Sequence, residues 1–207
     1  PPRSTLFPYT TLFRSKYNET NESTLAAGVT VTGDGESFVT IRATAGVTTM
    51  LLLYSAPGTN GNQSISGITF DGDSIASFGI RVIGRSNVDL HDITMMHTIR
   101  YGITYADQSS RSTTTAPTYW ATGNSIYNLT MVDCGRDVYS SYWQADGAID
   151  ISGQNGMEIY NFDIDNKTGG RYAYGIKGLY GGGWHRGLKI HDGTIRTNIR
   201  EIGRAHV

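Results

Sequence analysis

The hydrophobic pattern of this chain repeats along its length. A six-residue motif, apolar-x-[Asn/Asp/Gly]-apolar-x-apolar, occurs at residues 65–70, 90–95, 126–131, 159–164 and 190–195. The motifs start 25, 36, 33 and 31 residues apart. Alternation of apolar and polar positions is typical of a strand with one buried face. The pattern therefore predicts five short strands that share a core.

A second short strand lies in each interval between motifs, at residues 78–82, 101–105, 147–151 and 174–178. Constant strands separated by loops of unequal length indicate a solenoid, because insertions accumulate in loops while the strands keep their register. Upstream, residues 28–43 predict two strands around a Gly-Asp-Gly turn, and residues 48–54 predict another. The chain is thus expected to be all-β.

Stacking the five motifs predicts an inward column of apolar side chains. The column contains Ile68, Ile93, Leu129 and Phe162, and Gly193 leaves a gap at its end. The Asn or Asp within each motif is expected to hydrogen-bond its counterparts in the neighbouring coils.

This arrangement resembles the right-handed parallel β-helix of the pectin-lyase-like superfamily. LAAGVTVTGDGESFVTI, residues 25–41, is similar to the entry coil of such proteins, which include polysaccharide-cleaving enzymes and phage tailspikes. The resemblance implies a right-handed single-stranded parallel β-helix of about five to six coils, truncated at both ends. It also implies a polysaccharide partner and an extracellular or cell-surface location.

One segment is similar to a rung of polygalacturonase-type glycosidases, namely DGAIDISGQNGMEIYNFDIDN at residues 146–166. In that family the next rung carries an Asp-Asp pair and then Gly-His-Gly. Here it reads YGIKGLYGGGWHRG, with Lys177 and His185 near those places. Glycoside hydrolysis needs two carboxyl groups about 5–9.5 Å apart, so this family's chemistry is not expected to carry over.

The two ends of the chain read as translated sequencing adapters. PPRSTLFPYTTLFRS, residues 1–15, back-translates in frame to one adapter, and EIGRAHV, residues 201–207, back-translates to the start of the opposite one. The expected organisation is therefore an adapter-derived segment at 1–15, a β-helix fragment at 16–200 and a second adapter-derived segment at 201–207.

Charge and hydropathy exclude two classes of partner. The chain has 17 basic and 18 acidic side chains, which is no electrostatic footprint for nucleic acid. No apolar run approaches the roughly 18 residues that a membrane-spanning helix needs. The single cysteine, Cys134, is expected to be a buried apolar side chain, and a reactive thiol is the alternative.

Stacking the second strands predicts an outward row of Arg81, Thr104, Asp150 and Lys177, about 4.8 Å apart per coil. In one interpretation this row is a solvated polar ladder with an Asp150–Lys177 salt bridge worth about 0.2–1 kcal/mol. In the other it is the centre of a sugar-acid site, where Asp150 is the candidate base and the Lys177 ammonium stays charged beside it.

Under the second interpretation, the row could catalyse β-elimination from a uronate. The reaction needs the substrate carboxylate neutralised and its C5 proton removed. The predicted catalytic residues are Asp150, Lys177 and Arg171, with Arg81 among the substrate-binding residues.

Two loops are expected to form neighbouring walls over this row, at residues 132–146 and 166–174. Aromatic, charged and amide side chains together suit stacking on sugar rings and hydrogen bonding to hydroxyls; packing of the aromatic side chains within the loops is the alternative. The loops add these predicted substrate-binding residues: Arg136, Tyr139, Tyr142, Trp143 and Tyr172. A weaker candidate surface on the other side holds Trp120, Trp184, His185 and Arg186.

No metal site and no cofactor are expected. His91 and His191 share a ladder position but lie three coils apart, about 14 Å, which is too far to share an ion. Asp71-Gly72-Asp73 has ligands suited to calcium, although Asp-Gly is first of all a turn signal.

The sequence thus favours a polysaccharide-active β-helix that cleaves an acidic, uronate-containing glycan by lyase-type or other chemistry. The alternative is a non-catalytic carbohydrate-binding or surface module, such as a tailspike, adhesin or surface-layer coil. The two differ in what they require. An enzyme needs Asp150, Lys177 and Arg171 to converge in a groove, whereas a binding module needs only exposed aromatic side chains.

Overall fold

The protein is built from parallel strands stacked in register, as a computed structural model shows. It describes residues 11–13, 16–107, 116–135, 147–166, 174–178 and 184–197. No helix occurs among these residues. The arrangement is all-β and consistent with a β-solenoid, as the hydrophobic pattern predicts.

Sixteen strands are described. The first six are β1 (Thr11–Phe13), β2 (Lys16–Glu19), β3 (Ser23–Thr24), β4 (Val31–Gly33), β5 (Thr40–Ala43) and β6 (Thr49–Asp71). The next five are β7 (Phe78–Met96), β8 (Ile103–Ala106), β9 (Ala121–Thr122), β10 (Ser125–Val132) and β11 (Gly147–Ile151). The last five are β12 (Gln154–Asn155), β13 (Glu158–Asn166), β14 (Tyr174–Gly178), β15 (His185–Arg186) and β16 (Lys189–Thr197).

The strands pair in three stacks. The five sequence motifs lie in β6, β7, β10, β13 and β16, which pair in that order, and β1 and β4 extend the same path. The second strands pair as β7, β8, β11 and β14. Strands β9, β12 and β15 form a separate three-stranded sheet.

The predicted inward column is confirmed. Ile68, Ile93, Leu129, Phe162 and Gly193 are successive partners across the five motif strands. The first four side chains are buried in the main core. The gap at Gly193 is filled by its neighbour, since a Cβ added there would lie 2.2 Å from Cζ of Phe162.

The Asn, Asp or Gly of each motif has a left-handed backbone. The φ angles are 67° at Gly67, 50° at Asp92, 51° at Asn128, 50° at Asn161 and 51° at Asp192. Only glycine and short polar residues adopt this conformation at low cost, which explains the motif's third position.

The motif side chains also bond between neighbouring motif strands, as predicted. The Nδ2 of Asn161 donates to Oδ1 of Asn128 at 2.6 Å. The Nδ2 of Asn128 donates to Oδ1 of Asp92 at 2.8 Å. The strands β7, β10 and β13 are thereby joined by a ladder of side-chain amides and a carboxylate.

A buried cation joins segments of the upstream part of the chain. The guanidinium of Arg85 is 2% exposed. It donates to the side chain of Gln63 at 2.6 Å and to the carbonyl oxygens of Leu25 and Tyr54 at 2.8 and 3.0 Å. Burial lowers the pKa of Arg85 from its ordinary value, and the hydrogen bonds offset part of the cost of removing the charge from water.

Part of the segment predicted to be adapter-derived pairs with the sheet. Residues 11–13 form β1, which runs parallel to β4. Strand pairing does not test the origin of a sequence, so the assignments of 1–15 and 201–207 stay predictions. Residues 201–207 lie outside the described residues.

Candidate functional site

The outward row predicted from the second strands is confirmed in register. Arg81, Thr104, Asp150 and Lys177 are successive partners across β7, β8, β11 and β14. Thr104 and Asp150 are 0% exposed, whereas Arg81 and Lys177 are half-buried. The solvated-ladder interpretation is therefore wrong for the two central residues of the row.

The burial of Asp150 bears directly on its predicted role. A general base must lie within hydrogen-bond reach of the proton that it removes. With no exposed surface, the Asp150 carboxylate presents nothing to a polymer in this conformation. Its assignment as the catalytic base stays a prediction. Of the four residues in the row, Arg81 and Lys177 are the two with access to solvent.

An aromatic column runs beside this row, where the second strands begin. Three positions before the row residues Arg81, Thr104 and Lys177, the sequence has an aromatic side chain: Phe78, Tyr101 and Tyr174, respectively. Gly147 takes the equivalent place before Asp150 in β11. The rings of Phe78 and Tyr101 stack with centroids 6.0 Å apart. Gly147 leaves the column without a ring between Tyr101 and Tyr174.

Three cations lie over these rings. The Cζ of Arg81 is 4.6 Å from the centroid of Phe78. The Cζ of Arg100 is 5.4 Å from Phe78 and 5.9 Å from Tyr101. The third cation, Lys177, lies near Tyr101 and Tyr174. We call these side chains together the aromatic–cationic face: Arg81, Arg100, Lys177, Phe78, Tyr101 and Tyr174.

Lys177 lies near the rings on both sides of the Gly147 position. Its Nζ is 6.0 Å from the centroid of Tyr101 and 5.6 Å from that of Tyr174. A cation within about 6 Å of a ring centroid is attracted by the electron density of the ring face. The two rings therefore hold the ammonium at the surface between them. This geometry suits recognition of a carboxylate next to an apolar surface.

Six of the predicted site residues lie outside the described residues. They are Arg171, the third predicted catalytic residue, and Arg136, Tyr139, Tyr142, Trp143 and Tyr172. Their convergence over the row stays a prediction.

Sequence reasoning missed four residues of the aromatic–cationic face: Phe78, Arg100, Tyr101 and Tyr174. A signal for the three rings was present, because the tripeptide aromatic-Gly-Ile occurs at residues 78–80, 101–103 and 174–176. An aromatic residue that recurs at one place of a repeat must form a column when the repeats stack. No comparable signal marks Arg100.

The weaker candidate surface lies beside the three-stranded sheet. The Cζ of Arg186 is 4.2 Å from the centroid of the Trp120 ring. Trp184 is 38% exposed, and His185 is also exposed. Its strands belong to a different sheet from the second strands, but His185 lies next to Gly178 at the end of β14, since a Cβ added at Gly178 would lie 3.2 Å from Cε1 of His185.

A stack of rings follows the outer face of the motif strands. His91, Tyr127, Tyr160 and His191 have successive centroid distances of 4.7, 5.0 and 5.4 Å, with interplanar angles of 1°, 7° and 6°. Because the rings cover each other's faces, they present mainly edges to solvent and offer little surface for stacking on sugars. His91 and His191 lie at the two ends of this stack, with Tyr127 and Tyr160 between them.

Each histidine of the stack is bonded to the following aspartate. The Nδ1 of His91 lies 2.7 Å from Oδ2 of Asp92, and this hydrogen bond is the largest cause of a lowered pKa at Asp92. The Nδ1 of His191 lies 2.8 Å from Asp192, and its Nε2 lies 3.0 Å from Glu158. Hydrogen bonds to Asp192 and then Glu158 raise the pKa of His191.

The carboxylates considered for calcium are engaged by basic side chains. Arg42 donates to Asp73 at 2.5 Å and lies 3.7 Å from Asp71. The Nδ1 of His97 is 3.0 Å from Asp71. Within the described part of the chain, no three His, Cys, Asp or Glu side chains form a group suited to a metal ion.

Comparisons with known proteins do not name a family. No protein-family model and no curated protein matches the chain. One solved structure is similar, ORF18 of Geobacillus virus E2, with 12% identity and a TM-score of 0.34. The match covers 78% of this chain and 38% of the viral protein, so this chain spans well under half of that protein's length. Among the residues described, none forms a helix that could cross a membrane.

Proposed function

We propose that the chain is a right-handed single-stranded parallel β-helix of five to six coils. The support is the constant register of the motif strands and the second strands across loops of different length. Crossover connections between parallel strands are right-handed in nearly all proteins. This architecture would present each row of side chains as a line along the stacking direction.

We further propose that the protein binds an acidic, uronate-containing polysaccharide, at the cell surface or outside the cell. The observation that carries this proposal is the aromatic–cationic face, where three cations are held against three rings on one side of the second strands. Cations that recur along the stacking direction meet several carboxylates of one polymer at once. Binding at several places on one polymer strengthens the total interaction beyond that of any single contact.

Lyase-type cleavage is the second candidate function, and one observation favours it. Asp150 and Lys177 are direct partners on adjacent strands, so a conformation that uncovers Asp150 would place a potential base beside the cation that binds the substrate carboxylate. In β-elimination, the base takes the C5 proton, the C4–C5 double bond forms and the C4–O bond to the leaving sugar breaks. A purely binding protein needs none of these steps.

The binding proposal is tested by isothermal titration with oligogalacturonate. We expect Lys177→Gln to weaken binding about tenfold, which corresponds to about 1.4 kcal/mol. Lys189→Gln is the matched control, because Lys189 is a lysine whose side chain is 68% exposed and which lies on β16, among the motif strands rather than the second strands. Equal affinity of the two variants, or no binding of oligogalacturonate by the native protein, would overturn the proposal.

Cleavage is tested separately by incubating the protein with polygalacturonate and with alginate. A lyase produces unsaturated sugar ends, which absorb in the ultraviolet. Asp150→Asn should abolish that signal while oligogalacturonate binding persists. If the native protein binds but gives no ultraviolet signal and no new reducing ends, the binding-module alternative is the correct one.

A further inference from the structure

A second column of left-handed residues marks a bend on another side of the stack. The φ angles are 42° at Asn62, 55° at Asn87, 65° at Gly123, 73° at Gly156 and 56° at Gly187. The last three residues lie just before the motif strands β10, β13 and β16. Since Asn and Gly are the residues best suited to this backbone, the column has either a short amide or no side chain.

An open groove of about 330 Å³ lies at the upstream end of this column. Its walls are polar, and they include Asn62, Gln63, Ser64, Asn87, Asp89 and Gly123. This volume is at the lower end of the range of ligand pockets. Asn87 and Asp89 of the groove lie in β7, the strand that also carries Phe78 and Arg81 of the aromatic–cationic face near its start.

Some polar groups of the groove already hydrogen-bond to other parts of the chain. The amide of Gln63 donates to carbonyl oxygens of Ala26 and Val29 and accepts from Arg85. The hydroxyl of Ser64 lies 3.3 Å from Nε2 of His91. These groups form the fixed wall of the groove.

Other polar groups keep hydrogen-bonding capacity toward the groove. The carboxylate of Asp89 accepts from Ser125 with Oδ1, and Nδ2 of Asn87 donates to Asn60. Three further groups make no hydrogen bond within the described part of the chain. They are Oδ2 of Asp89, Oδ1 of Asn87 and the exposed amide of Asn62. Together these groups offer two acceptors and one amide that both donates and accepts.

We propose that this groove is a binding site for a neutral glycan. Sugar hydroxyls both donate and accept, which matches this set of groups. Asp89 contributes a negative charge, and none of the described residues that line the groove is a cation. Arg85 is bonded to Gln63 but is 2% exposed, so Asp89 is the charge that a ligand meets directly, and it disfavours a uronate here, in contrast to the aromatic–cationic face.

The column extends the groove along the stacking direction. A Cβ added at Gly156 would meet nothing within 4 Å, and one added at Gly187 would meet only the backbone of Gly156. The space above these glycines is open. Gly123, which lies between Asn87 and these two glycines in the column, is covered by Asn87, since a Cβ added there would lie 2.1 Å from Oδ1 of Asn87. An oligosaccharide bound at Asn87 and Asp89 can therefore continue past the Asn87 amide and over the backbone of Gly156 and Gly187.

The test is an NMR titration of the protein with four neutral hexaoses: cellohexaose, xylohexaose, mannohexaose and maltohexaose. At least one should shift the backbone amides of residues 62–64, 87–89 and 123. Asn87→Gly keeps the left-handed backbone and removes the amide, and Asp89→Asn removes the charge. Each should weaken binding of that hexaose at least fivefold.

Two further variants make the test specific. Asn161→Gly is the matched control, because Asn161 has the same backbone conformation on a different bend, and it should bind as the native protein does. Gly156→Asn places a side chain in the open part of the column at a position where asparagine is tolerated, and it should weaken binding of the hexaose but not of a disaccharide fragment.

The proposal is overturned if no hexaose causes these shifts at a hexaose concentration of about 10 mM, which is high enough to detect even very weak binding. It is also overturned if Asn87→Gly and Asp89→Asn both bind as the native protein does. Thermal unfolding of each variant confirms that it folds. Failure here is distinguishable from failure of the acidic-glycan proposal, because that proposal is measured with oligogalacturonate and Lys177→Gln.

Discussion

Asp150 and Lys177 are direct partners on neighbouring parallel strands, but only Lys177 reaches the surface. Its ammonium lies between the rings of Tyr101 and Tyr174. The pair therefore combines a residue enclosed by the fold with one positioned to meet a ligand. The stability of the protein and its binding should respond differently to substitution of the two.

Asp150→Ala is expected to lower the free energy of unfolding by about 1–3 kcal/mol, because it removes a buried polar group and leaves its surroundings without a partner. Lys177→Ala should cost less than about 1 kcal/mol, as is usual for a charge near the surface. Urea denaturation of both variants checks this. Equal costs would mean that Asp150 is less enclosed than the structure shows.

The inward column gives a second prediction, with a control from the same strand. Leu129 is 2% exposed, and the adjacent Thr130 points outward. Leu129→Asn should cost several kcal/mol by burying an unpaired amide and leaving a cavity. Thr130→Asn should change the stability by no more than about 0.5 kcal/mol. Similar losses in the two variants would show that β10 does not bury alternate side chains.

The strands and their register were predictable because a one-residue shift would move every core side chain of a strand to the wrong face. That constraint fixes Ile68 against Ile93 and Asp150 against Lys177 from the sequence alone. The burial of Asp150 was not predictable, since alternation says which way a side chain points but not what packs above it. Arg100 was missed for a related reason: it precedes β8, outside the repeat that alternation can align.

Phe162 and Gly193 give a third prediction. A Cβ at Gly193 would lie 2.2–2.4 Å from three atoms of the Phe162 ring. Gly193→Ala should therefore destabilise the protein by about 1–3 kcal/mol through overpacking. Adding Phe162→Leu, which shortens the opposing side chain, should recover part of that loss. A double-mutant cycle by thermal unfolding measures the coupling, and strictly additive effects would contradict this account of the filled gap.

Cys134 gives a prediction about the core near β10. Its side chain is buried, as predicted, and burial raises the pKa of its thiol to about 11. Because the thiolate is the reactive form, the native protein should react negligibly with a thiol reagent at neutral pH. Urea should expose a single reactive thiol in the cooperative unfolding transition. Rapid labelling of the native protein would instead support the reactive-thiol alternative.

His191 gives a prediction about pH. Its hydrogen bonds to Asp192 and Glu158 raise its pKa in the folded protein. A raised pKa means that the protonated ring stabilises the folded state at pH values below its ordinary pKa of about 6.5, and that this contribution is lost as the pH rises through the folded value. NMR titration of the ring protons should show this raised pKa. Asp192→Asn should lower it while keeping a residue that tolerates the left-handed backbone, and Asp92→Asn, at the far end of the ring stack, should leave it unchanged. An identical titration of His191 in native protein and Asp192→Asn would show that the Asp192 hydrogen bond does not control the charge of this ring.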